Sequence, residues 1–317
     1  GDVVCLFPEG QLTRTGTLCK LQRGFELIAK KAGCPVVPVW VDGTWGSIFS
    51  FERNCFFRKF PRRYGHGIAV AFGEPMMESA VDCRSLQLGL LASSAEAVAR
   101  RFRHHGGSSS MLCRRSPLLA DFNSRPAAER ARFRTNGHQI GMINGLPRSS
   151  VFHMLRDDSC TQLLGLSVAF PCLFRAKLEL HDRFDPELDA CWLGGEMLRC
   201  AIAESEHHLR RMIFYDFSSR SHEAMEKDGL IHCPSLAISN VVVAMSIPDP
   251  PQTDSGLPMQ PGHKPGSWGR LLPGWSYASE SGSGRWRVDG PAAPDGGILL
   301  PEGCFLDDEG FLISGKT

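Results

Sequence analysis

The chain has 317 residues, a formal net charge of +1 at pH 7 and 42% hydrophobic residues. The near-neutral charge gives no global attraction to nucleic acid, and no run of 18 or more apolar residues is present to cross a bilayer as a helix. The length allows two domains, and the 12 cysteines occur singly with no Cys-x-x-Cys pair, which predicts reduced thiols in a cytosolic protein, many of them in the core (Cys5, Cys34, Cys172).

In chain order, Val3, Val4, Cys5, Leu6 and Phe7 ahead of Pro8 predict a buried strand over 2–7. Residues 17–33 place Leu18, Leu21, Phe25, Leu27, Ile28 and Ala32 at helical spacing, with Lys30 and Lys31 near the end and Gly33 as the stop. The stretch PVVPVWV at 35–41 predicts a second buried strand. A strand, a helix and a strand joined by short connections predict a βαβ unit with parallel strands. A third strand is expected at 66–74 and a helix at 86–102. Residues 104–135 are polar and carry six arginines between 114 and 134, the composition of a linker. An apolar pattern resumes near 137, with a helix and then a strand expected within 163–181. The Pro- and Gly-rich stretch 248–317 carries short strands near 297–300 and 311–314. The expected fold class is α/β.

The stretch FPEGQLTRTG at 7–16 follows the first predicted strand. Ligands in α/β folds sit beyond the carboxyl ends of strands. Gly10 lets backbone approach a ligand, and the Arg14 guanidinium offers planar, two-pronged recognition of phosphate. The alternative is a surface turn with a solvated arginine. The stretch FFRKFPRRYGH at 56–66 interleaves aromatics with Arg and Lys, which suits anionic headgroups or, equally, a solvated loop. His153 and Asp158 have the His-x4-Asp spacing of a base and its orienting acid. With 11 histidines among many acids such a spacing arises by chance, and no catalytic role is assigned to it.

FPEGQLTR, followed by the helix and by VPVWVDG at 37–43, resembles the third and fourth motifs of the glycerophospholipid acyltransferases, in family order and at family-like spacing over residues 1 to about 103. The resemblance implies that Glu9, Gly10, Thr13 and Arg14 bind the glycerol-phosphate acceptor and that Pro38 helps shape the site. The family's catalytic His-x4-Asp lies upstream of FPEG and has no counterpart ahead of residue 7 in this sequence. The resemblance therefore implies a fragment truncated at both ends, inactive in acyl transfer by itself.

Further along, LPRSSVFHML (146–155), RAKLELHDRFDPE (175–187), LGGEMLR (193–199), KPGSWGRLLPGW (264–275) and LDDEGFLISGK (306–316) resemble, in order, segments of the adenylate-forming acyl-CoA and acyl-carrier-protein synthetases. The two resemblances together are those of the bacterial bifunctional acyltransferase/acyl-carrier-protein synthetases. They imply a partial acyltransferase domain at 1–103, a linker at 104–135 and a partial adenylate-forming domain at 136–317. That second domain reads as degenerate. GGSSSM at 106–111 lacks the lysine of a phosphate loop, PSLAISN at 234–240 stands where a Tyr-Gly-x-Thr-Glu motif is expected, and Glu302 stands near the place of a ribose-binding aspartate. The implied function is acyl transfer to a lysophospholipid or glycerol-phosphate acceptor. Acyl-CoA or acyl carrier protein would be the donor, with no cofactor, no metal and no nucleic-acid partner. The implied place is cytoplasmic, peripheral to the inner face of the cell membrane. The alternative is a non-catalytic module that holds acyl carrier protein or the membrane surface.

Overall fold

A computed structural model describes residues 2–59, 67–105, 118–144, 151–156, 177–220, 222–252, 256–280 and 282–315. The fold is α/β and is dominated by a nine-stranded mixed sheet. Strands β3 (Val151–Leu155), β4 (Lys177–His181), β5 (Cys191–Gly194), β6 (Met212–Asp216) and β7 (Leu230–Ile238) pair in parallel in the order β4-β3-β5-β6-β7. β5 and β6 read as nearly unbroken apolar runs because parallel strands are covered on both faces. From β7 onward the sheet turns antiparallel through β8 (Val241–Met245), β9 (Ser267–Leu271), β14 (Phe311–Ile313) and β13 (Phe305–Leu306). β7 serves both regions: Leu230 to Pro234 face β6, and Ser235 to Ile238 face β8. Pro234, which has no N–H to give, sits where the ladder changes partner. A small sheet of β10 (Ser276–Ser279), β11 (Trp286–Asp289) and β12 (Ile298–Leu299) lies between β9 and β13 in sequence.

The first hundred residues depart from the expected βαβ unit. β1 (Val39–Asp42) pairs antiparallel with β2 (Ala69–Phe72), and α2 (Cys83–His105) packs across both. Residues 2–7 form no ladder among the described residues, and Val3 and Phe7 are 97% and 80% exposed. β-propensity reflects fit to a pleated, half-buried surface, and no neighbouring strand here provides one. Cys5, in this unpaired segment, is exposed rather than core, Cys34 just after the Gly33 helix stop is exposed as well, and Cys172 lies outside the described residues.

α1 (Gly24–Ala32) begins seven residues later than its apolar spacing predicts. The Glu9 carboxylate takes the Cys19 N–H at 2.7 Å, and the Gln22 N–H donates to the Pro8 carbonyl at 2.7 Å. These bonds hold residues 17–22 against the 7–10 turn, so Leu18 and Leu21 reach the core from an irregular segment. The stop is as expected: Gly33 adopts φ +59° and its N–H closes on the Ala29 carbonyl at 2.9 Å. A Cβ there meets nothing within 4 Å, so Gly33→Ala isolates the left-handed backbone penalty. It is expected to cost about 1–2 kcal/mol, read as a lower urea midpoint at unchanged slope.

Residues 118–135 fell within the stretch that sequence composition marked as linker. They contain α3 (Leu119–Ser124) and most of α4 (Ala127–Gly141). Phe122 and Phe133 are fully buried. Asn136 on α4 splices onto β8, giving its Nδ2–H to the Val242 carbonyl at 2.7 Å and accepting the Val242 N–H at 2.9 Å. Three arginines read as linker charge are used locally: Arg125 pairs with Asp121 and Glu129, Arg130 donates to the Arg125 carbonyl, and Arg134 lies over Phe122. One hydrophobic cluster contains Leu18, Leu21 and Phe25 from the first hundred residues, Val242 and Leu271 from the large sheet, and Trp275 from the turn that precedes β10.

Candidate functional site

The acidic end of the motif is a tight turn. The Gly10 N–H donates to the Phe7 carbonyl at 3.0 Å, and Gly10 holds φ +70°. Glu9 leaves this turn pointing inward onto the Cys19 N–H. Burial pushes its carboxyl above the ordinary value of 4.5, and the Cys19 bond and the Arg270 charge offset this only in part. A carboxyl raised by folding contributes stability that is full below its unfolded value and is lost as pH rises through the folded one. Glu9→Gln keeps an oxygen for the Cys19 N–H. It is expected to match the parent's stability near pH 4 and to exceed it increasingly towards pH 7, in paired denaturation curves.

Thr13 is a scaffold for the same loop. Its hydroxyl donates to the Thr17 carbonyl and accepts the Gly16 N–H, both at 3.0 Å. Arg14 is the member of the set whose charged end faces outward. Its guanidinium carbon lies 4.8 Å from the Phe51 ring centroid, and Nη1 donates to the Pro251 carbonyl at 2.9 Å in an exposed setting. Its backbone is fixed on both sides: the N–H donates to Gln260 Oε1 at 2.6 Å, and the carbonyl accepts Asn144 Nδ2 at 3.0 Å. Asn144 also bonds the Phe51 carbonyl, Asn54 Oδ1 and the Arg53 N–H. One amide thus ties the arginine loop to the turn that carries Phe51.

Phe51 belongs to an aromatic group. It stacks on Phe56 at 5.1 Å, Phe56 meets Phe57 edge-on at 4.5 Å, and Phe57 meets Phe49 at 5.2 Å. Phe49 and Phe57 are 60% and 56% exposed. Arg14 therefore borders an apolar surface. Lys59 does not serve as an outward charge: its ammonium is buried on the Ser50 and Glu52 carbonyls. Residues 60–66 of the basic-aromatic stretch lie outside the described residues. Pro38 is buried against Gly73 and Gly89, where it packs the strand region onto α2. Of the expected acceptor set, Glu9, Gly10 and Thr13 build the loop and Arg14 presents a charge. Sequence reasoning missed Asn144, Phe51 and Gln260; nothing local marks residues that reach this loop from 37 to 246 positions away.

The synthetase-like segments also meet one another. Lys264 pairs with Asp307 at 2.7 Å and Glu309 at 3.5 Å, and Arg270 on β9 lies 3.9 Å from the Phe311 ring. LGGEMLR runs from β5 into α5 (Glu196–Glu204). PSLAISN forms the end of β7 and the turn into β8, with Ser239 and Asn240 at φ +53° and +66°. It is a close two-residue hairpin that brings no acidic side chain. GGSSSM and Asp158 lie outside the described residues, so the His153–Asp158 spacing finds no geometry. His153 itself is buried in β3 beside His181. Among the described residues no helix is long and apolar enough to cross a membrane.

Residues 1–42 match the family model described as Acyltransferase, which contains the whole loop just described. Among solved structures, the chain is similar to the luciferase-like enzyme from the nonluminescent Zophobas morio mealworm. That similarity has 10% identity and a TM-score of 0.38, and it covers 57% of this chain and 52% of that one. The chain thus spans about half the length of this structural neighbour.

Proposed function

We propose that the loop 7–19 is the acceptor-binding part of an acyltransferase that moves a fatty acyl group from acyl-CoA or acyl carrier protein to a lysophospholipid or glycerol-phosphate acceptor at the cytoplasmic face of a membrane. The observation that carries this reading is the placement of Arg14. A guanidinium inside the acyltransferase match lies at the border of an exposed aromatic surface. A lysophospholipid presents the complementary pair of features: an anionic phosphate for the arginine and an acyl chain for Phe49 and Phe57. Glu9 and Thr13 support the role indirectly, by fixing the loop from which Arg14 projects. Arg14 uses Nη1 on the Pro251 carbonyl, which sets its direction and leaves the rest of the planar fork for a ligand.

The second reading is a binding module whose synthetase-like part performs no adenylation. The hairpin at PSLAISN favours it, since no acid is placed there for a metal-bound nucleotide. Titrating the chain with lysophosphatidic acid and, separately, with the matching monoacylglycerol tests the acceptor reading. Binding that requires the phosphate is expected. Equal uptake of both lipids would assign binding to the aromatic surface alone and remove the role given to Arg14.

A further inference from the structure

One cluster takes no part in acceptor binding. His153 lies on β3, and Glu179 and His181 lie on β4, the terminal strand of the described sheet. The parallel register sets His153 beside Glu179 and Leu155 beside His181. Residues 179 and 181 are two apart on one strand, so all three side chains leave the same face. His153 Nδ1 is 2.6 Å from His181 Nε2 and 3.9 Å from Glu179 Oε2, and one donor atom from each of the three residues lies within 4.8 Å of the others. Trp192, across from His153 on β5, forms an apolar wall with its ring 5.5 Å from His153 and 5.1 Å from His181.

We propose that His153, Glu179 and His181 bind a divalent transition-metal ion, with zinc the best fit. Two imidazoles and a carboxylate are the donors that zinc takes, and three protein ligands leave a fourth position for water or another ligand. Magnesium and calcium prefer all-oxygen sets, so the two nitrogens disfavour them. Tetrahedral zinc with Zn–N bonds of about 2.0–2.1 Å sets two nitrogens about 3.3 Å apart, so the imidazoles must separate by about 0.7 Å. Glu179 and His181 are only half-buried on a terminal strand, which gives them room to adjust. Without metal, the two rings are in N–H···N contact. Metal entry replaces that contact with two N–metal bonds, and the donor ring carries its proton on its other nitrogen instead. The ion would join β3 to β4 through side chains on both.

The test is titration of the metal-free chain with zinc against a chromophoric chelator, and with cobalt(II) followed by visible absorption. The expected result is one equivalent bound, a four-coordinate cobalt spectrum without thiolate charge transfer, and a rise in Tm with zinc. Since losing even an outer partner of a metal site weakens affinity about 10- to 100-fold, His181→Ala and Glu179→Gln should each weaken zinc binding by at least tenfold. Both residues are half-buried, so these variants are expected to fold where His153→Ala could fail, and circular dichroism checks this. A His207→Ala/His208→Ala control should bind as the parent does. No binding at micromolar zinc would overturn the proposal and leave a His–His hydrogen bond. So would a stoichiometric site that survives both variants or gives a thiolate spectrum.

Discussion

Arg199→Met is expected to lower the unfolding free energy by about 3–5 kcal/mol, the usual cost of removing one partner from a buried ion pair. Arg199 projects from α5 to Asp216 at the carboxyl end of β6, with Nη1 to Oδ2 at 2.6 Å. Asp216 is fully buried and also accepts from His232 Nε2 at 2.8 Å and from the Ser218 N–H at 2.9 Å. Arg199 Nη2 continues to the Glu223 carbonyl at 3.0 Å. This network stands where parallel α/β sheets often hold ligands, yet its groups bond one another, which marks it as structural. Without the arginine, a carboxylate remains in the interior with its shortest contact gone. The double variant Arg199→Met/Asp216→Asn should recover part of the loss, because the orphaned charge is removed as well. Urea unfolding followed by fluorescence measures both, and a loss under about 1 kcal/mol for Arg199→Met would show that the pair contributes little.

The same network has a pH signature. Burial alone would raise the Asp216 carboxyl, but the His232 and Ser218 hydrogen bonds together outweigh it and hold the group below its ordinary value of 3.8. A carboxyl lowered by folding contributes stability that is present above its unfolded value and is lost as pH falls through the lowered one. The Asp216 contribution is therefore full at neutral pH and disappears only in strong acid.

Arg14→Ala is expected to weaken acceptor binding by roughly 10- to 200-fold. A charge-assisted hydrogen bond contributes about 1.5–3 kcal/mol, and about 1.4 kcal/mol is tenfold. Arg14→Lys should recover only part of this, since an ammonium keeps the charge but cannot make the planar two-pronged contact or the same stacking on Phe51. Stability should fall modestly in both, because Arg14 also bonds the Pro251 carbonyl and covers an aromatic face. Binding within about twofold of the parent for Arg14→Ala would leave the arginine a turn residue.

The sequence made some of this legible and hid the rest for physical reasons. The helix expected at 86–102, the Gly33 stop and the short strands near 298 and 311 follow from local pattern, and the structure places them close to where the pattern does. Residues 2–7 have strand composition without a strand, because pairing requires a neighbour that propensity does not supply. The start of α1 was masked by Leu18 and Leu21, which are spaced like a helix but are held in a loop by Glu9 and Pro8. The arginine-rich stretch looked like linker because its charges hid Phe122 and Phe133, the residues that bury α3 and α4. At the loop 7–19, the motif pointed to Arg14. The groups that fix its backbone, Gln260 and Asn144, come from far along the chain and carry no local signal.

The central claim is that the Arg14 guanidinium meets the acceptor phosphate. Nitrogen-15 spectra of arginine side chains test it most directly, with glycerol 3-phosphate as the probe and Arg14→Lys used to assign the Arg14 signal. The account predicts that the Arg14 Nε–H resonance shifts saturably with the probe, more than those of Arg23, Arg53 and Arg84. An unmoved Arg14 signal at saturating glycerol 3-phosphate, or a shift confined to other arginines, would contradict it.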